Sequence, residues 1–132
     1  MNKLMMVVLV LALALVGGCG PSGGDTGDKL FADMSANMRE MASILDSVTD
    51  EASARAAVPK IDAVREKMRD CARRARALPR PDAATEQRHN EQMQAVMQEV
   101  MPKIAGAHAR FAEKPELMAI LGPALEGMEN DL

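Results

Sequence analysis

The side chains best suited to chemistry are soft donors. Cys71, His89, Met38 and Met93 offer a thiol, an imidazole and two thioethers. Such a set suits Cu(I), a soft ion, better than a hard oxygen-seeking cation. Met93, Met97 and Met101 recur every four residues, and His89 continues the row one turn earlier. The simpler role of methionine is to fill irregular gaps in a core. Met34, Met38, Met68 and Met93 each fall where a helix needs a hydrophobe. His89, flanked by Arg88 and Asn90 near a helix start, reads as solvated unless a metal recruits it. Cys71 reads as a small buried hydrophobe. No G-x-S-x-G, H-E-x-x-H, C-x-x-C or Walker A pattern occurs, so the chain is read as non-enzymatic.

Helices must position these groups. Ala, Met, Glu, Arg and Leu dominate, all strong helix formers, and runs rich in β-branched or aromatic residues are few. The first helix is expected over about Asp28–Val48. Its apolar residues Phe31, Met34, Met38, Met41, Leu45 and Val48 alternate three and four apart, a heptad-like seam. Thr26 or Asp28 can cap its start. The second is expected over about Asp50–Leu78, with Val58, Ile61, Val64, Met68, Cys71, Ala75 and Leu78 facing inward and Pro59 as a kink or restart. Leu78-Pro79-Arg80-Pro81 stops it, and Asp82 caps the third helix, about Ala83–Ala112. Pro102 and Gly106 should bend that helix. A short fourth helix, about Pro115–Met128, starts on a proline suited to a first turn; Gly122-Pro123 is a candidate break in it.

Short connections favour antiparallel neighbours. The expected fold is all-α: an antiparallel bundle of three long helices plus a short C-terminal helix, spanning residues 28–132. In that packing the start of helix one meets the end of helix two and the start of helix three. Met34, Met38, Met68, Cys71, His89 and Met93 would collect there. Charge agrees: Arg55–Arg80 carries nine bases and three acids, Asp25–Glu51 seven acids and two bases, and Glu113–Asp131 five acids and one base. A basic second helix between acidic neighbours is the expected arrangement.

The chain begins with Met1-Asn2-Lys3, followed by thirteen apolar residues from Leu4 to Val16, then Gly17, Gly18 and Cys19. A basic start, a short apolar core and a small-residue cleavage site make a secretory signal. Thirteen helical residues span only about 20 Å, short of a bilayer's hydrocarbon core. Leu15-Val16-Gly17-Gly18-Cys19 resembles the lipobox of bacterial lipoproteins. The resemblance implies cleavage between Gly18 and Cys19, with a diacylglyceryl group on the Cys19 sulfur and an acyl chain on its amine. Two or more chains suffice for stable anchoring. Gly20, where some bacteria use Asp for inner-membrane retention, favours the outer membrane, facing the periplasm. The expected divisions are a signal peptide over 1–18, a lipidated N-terminus with a flexible linker over 19–27, and the helical domain.

Composition narrows the partners. Beyond residue 18 the chain holds 15 Lys and Arg against 19 Asp and Glu. That mild acidity, together with export, argues against nucleic-acid binding. There is no Trp or Tyr and only Phe31 and Phe111, which disfavours sugar- and base-stacking sites. The reading is a membrane-anchored envelope lipoprotein that meets another envelope protein through its helices, with no cofactor beyond the lipid on Cys19. The alternative is copper binding or sensing through Cys71, His89, Met93 and Met38. Arg69-Asp70-Cys71-Ala72-Arg73-Arg74-Ala75-Arg76 reads as a solvated face with neighbouring counter-charges.

Overall fold

A computed structural model describes residues 26–128. It contains α1 (Gly27–Asp46), α2 (Glu51–Ala77), α3 (Ala83–Glu113) and α4 (Pro115–Leu125), with no strand among the described residues. The expected signal peptide, with Gly18 and Cys19, and the expected linker up to residue 25 lie outside the described residues.

Side-chain caps set the helix starts. Thr26 Oγ1 accepts from the Lys29 amide at 3.1 Å, so α1 opens at Gly27, one residue before Asp28. Asp50 and Ser53 cap each other reciprocally, with the Ser53 amide 2.7 Å from Asp50 Oδ1. Asp82 Oδ1 accepts from the Thr85 amide at 2.7 Å. Each cap satisfies an amide that the helix itself leaves without a partner.

The internal prolines do not divide the helices: α2, α3 and α4 run continuously through Pro59, Pro102 and Pro123. All three prolines are exposed. So are Arg55, Gln98 and Ala119, the residues four positions earlier whose carbonyls lose an amide partner. On an exposed face a freed carbonyl is open to water, which removes much of the penalty of an interior proline.

The first helix packs against both α2 and α3, and the second in turn lies between α1 and α4. α2 and α3 touch each other only marginally. The acidic residues of α1 therefore face basic residues on two sides. Toward α2, Arg74 pairs with Asp33 at 2.9 Å and Lys67 with Glu40 at 2.7 Å. Toward α3, Arg88 pairs with Asp28 at 2.8 Å and Arg110 with Asp46 at 3.3 Å. The expected acidic–basic pairing is present: the basic α2 lies between α1 and the C-terminal helix, and α1 meets basic residues of α3 as well. α1 reaches both neighbours because it buries a wider band than its heptad seam, adding Leu30, Ser35, Asn37, Ala42 and Ile44.

The short α4 packs mainly on α2. Leu117 and Leu121 join Val48, Ile61, Val64 and Val100 as the largest fully buried side chains. Each such side chain contributes about 1.5–3 kcal/mol on leaving water. Arg65 Nη1 donates to the Ala124 carbonyl at 2.8 Å, satisfying an end-of-helix acceptor. Gly127 then takes φ +80°, a left-handed turn natural to glycine, and Met128 returns to the core.

Candidate functional site

The most structured polar group stands where α1 and α3 begin. The His89 side chain is only 8% exposed, and its Nε2 lies 2.7 Å from Asp28 Oδ1. The same oxygen accepts from Arg88 Nη2 at 2.8 Å. The ring of His89 stacks on Phe31, with centroids 4.6 Å apart and planes within 9°. A Cβ added to Gly27 would stand 3.8 Å from His89 Cε1, so the imidazole also lies against the first turn of α1. The Arg88 hydrogen bond, then the one with His89, holds the Asp28 carboxyl below the ordinary aspartate range. Asp28 also lies in the first turn of α1, where the helix dipole favours a negative charge.

This corrects the reading of His89 as solvated. The signal was legible: His89, Met93, Val96 and Val100 are spaced four, three and four, so the histidine continues an apolar stripe. A buried imidazole needs a polar partner, and Asp28 supplies it across the helix interface.

Cys71 is buried too, with a different neighbour. Its sulfur accepts from Asn37 Nδ2 at 3.5 Å. Burial, the leading influence, pushes the thiol pKa up. Arg74, on the same helix, bridges Asp33 at 2.9 Å and Asp70 at 3.4 Å nearby. Nothing in the apolar pattern marked Asn37 as buried; its position on the face turned to α2 decides it.

The four sulfur and nitrogen donors are thus distributed. Met38 belongs to the main apolar core, and Met93 packs against it. Cys71 is engaged opposite Asn37, and His89 opposite Phe31 and Asp28. Phe31 and Asn37 are six residues apart, which on a helix is about 9 Å along the axis and about 120° around it. The two stronger donors therefore meet α1 at different levels and on different sides. Among the described residues no group of three or more His, Cys, Asp or Glu side chains is placed to hold a metal ion.

Around the Phe31–His89 stack the helix ends diverge and leave a cavity of about 350 Å³. Leu30, Phe31 and Met34 line it from α1, Leu78 and Pro79 from the end of α2, and Arg80 from the following connection. A second, shallower groove of about 480 Å³ runs between α1 and α2 beside Cys71, lined by Asp33, Lys67, Asp70 and Arg74 among others. The first is mostly apolar; the second carries five charged side chains beside Ala36, Asn37 and Cys71. Among the described residues no helix is long and apolar enough to cross a membrane.

Compared with protein-family models, with curated proteins and with solved structures, the chain shows no match.

Proposed function

We propose that the chain is an envelope lipoprotein, lipidated on Cys19 and held at the outer membrane facing the periplasm. Its helical domain is a non-enzymatic module that binds another envelope protein. The observation that carries this reading is the run Leu4–Val16, which ends in Leu15-Val16-Gly17-Gly18-Cys19, with α1 opening eight residues after the cysteine. Eight residues reach at most about 29 Å when extended, so the folded domain works close to the bilayer. The bundle is read as antiparallel, up-down-up. Support comes from the order of its ion pairs. From Asp33–Arg74 to Glu40–Lys67 the numbers rise on α1 as they fall on α2. From Asp28–Arg88 through Arg39–Glu99 to Asp46–Arg110 they rise together on α1 and α3. A helical surface with few aromatics suits packing against a partner's helices.

Two measurements test the reading. The wild-type chain should fractionate with membranes and Cys19→Ser should not; equal membrane retention of both would overturn lipid anchoring. Crosslinking in native membranes should then trap a reproducible envelope partner with the wild type. A monodisperse domain that crosslinks to nothing would overturn the interaction role.

A further inference from the structure

The cavity where α1 begins combines two features that the packing of the bundle does not require. Its walls are mostly apolar, with Leu30, Phe31, Met34, Leu78 and Pro79 beside the His89 ring. Its edge carries Arg80, an exposed cation with no hydrogen bond or ion pair to any described residue. The other charged side chains lining the cavity, Asp28 and Arg88, pair with each other. At about 350 Å³ the cavity falls within the range of small-molecule sites, roughly 300–1,000 Å³. An apolar interior with one uncommitted guanidinium at its mouth fits an amphiphile: a hydrocarbon chain inside and an anion outside. Arginine is the side chain best shaped to grip a phosphate through two parallel N–H bonds.

Position supplies the source. Thr26 and Gly27 line the same cavity, so the chain enters α1 at its edge. Cys19 precedes Thr26 by seven residues, at most about 25 Å of extended chain. On the lipoprotein reading above, on which this step rests, the cavity stands within one tether length of the lipid headgroups. We propose that it takes an acyl chain of an anionic membrane phospholipid, with the lipid phosphate on Arg80. The diacylglyceryl group on Cys19 has no anion to offer that guanidinium, which favours the surrounding bilayer as the source over the chain's own lipid.

The test uses the full chain, purified from membranes and reconstituted into phosphatidylcholine vesicles. A trace of photoreactive-acyl phosphatidylglycerol, or of the matching phosphatidylcholine, serves as the probe. After illumination, phosphatidylglycerol adducts should concentrate on peptides spanning 26–34 and 75–89, several-fold above those of phosphatidylcholine. Arg80→Glu should remove that excess, Arg80→Lys should keep most of it, and both should leave the helical circular dichroism unchanged. Equal labelling by the two lipids, labelling indifferent to Arg80→Glu, or adducts spread over the whole surface would overturn the proposal. So would an adduct between these peptides and the chain's own Cys19 lipid, in protein grown with a photoreactive fatty acid. Intact mass reads the anchor separately: protein without lipid on Cys19 would defeat the anchoring reading, while the adduct map still decides the cavity.

Discussion

His89 lies flat on Phe31, ring centroids 4.6 Å apart and planes within 9°, and this stack ties the start of α3 to the first turns of α1. The contact is aromatic on one side and polar on the other, since the same imidazole bonds Asp28 at 2.7 Å. Removing Phe31 takes away a buried ring, and Phe31→Ala should cost about 3 kcal/mol in urea unfolding. In a double-mutant cycle with His89→Ala, the pair should show a coupling of about 0.5–1.5 kcal/mol beyond area burial. Strict additivity of the two substitutions would show that the stack carries no energy of its own.

At the other end of the bundle one arginine closes the turn between α1 and α2. Arg110 donates to the carbonyls of Asp46 at 2.7 Å, Val48 at 3.2 Å and Leu45 at 3.4 Å. Leu45 O also accepts from the Val48 amide at 3.2 Å, while Asp46 and Val48 stand at and just beyond the end of α1, where helical amides run out. Arg110→Met keeps the aliphatic stem and loses all three bonds, so it should lower stability by about 1–2 kcal/mol. Arg110→Lys, with fewer and differently aimed donors, should recover only part of the loss. A melting temperature unchanged in Arg110→Met would count against this clamp.

Acid should loosen the helix starts first. Asp50 and Asp82 are held below the ordinary aspartate value of 3.8, chiefly by the backbone amides of Ser53 and Thr85. Asp28 is lowered chiefly by Arg88, and Asp33 by Lys29 and then Arg74. A carboxylate whose folded pKa lies below its unfolded one stabilises the fold above the unfolded value and loses that effect as pH falls through the folded one. Helical circular dichroism should therefore hold from neutral pH down to about 4 and decline below it. Asp50→Asn and Asp82→Asn should flatten that acid limb while lowering stability at pH 7. An acid limb identical to wild type in both variants would remove the caps from its explanation.

Cys71 should resist alkylation in the native protein. Burial raises its pKa, and only the thiolate attacks. Iodoacetamide at neutral pH should modify it slower in buffer than in urea by about an order of magnitude or more. Mass spectrometry of timed aliquots reads this directly; equal rates would mean that the thiol is open to solvent. Asn37→Leu removes the donor facing the sulfur at 3.5 Å and should leave protection in place, because burial is its main cause.

Much of the helical layout was legible because its signals are local. Asp50 and Asp82 mark helix starts through their own side chains, and Pro115 opens α4 as a first-turn proline should. The stripe Ile61, Val64, Met68 and Cys71 is buried where its spacing placed it. The candidate break at Gly122-Pro123 is absent for a physical reason. A proline signals a break along the chain, but the cost of that break depends on whether the freed carbonyl faces water. At Pro59, Pro102 and Pro123 the residue carrying it is exposed. For the candidate donors, spacing puts residues on a face, and says nothing of which side chain across the interface meets them.

By itself the sequence determined the helical class, the caps, the apolar faces and the lipobox-like run at Cys19, because each depends on residues a few positions apart. Only the tertiary structure decided that α1 packs against both α2 and α3, that His89 is buried against Phe31 and Asp28, and that Cys71 meets Asn37. It also decided that diverging helix ends leave a cavity edged by Arg80. These relations join residues dozens of positions apart. They are set by how helices of different length and face width fill space together, and no periodicity within a single helix encodes that.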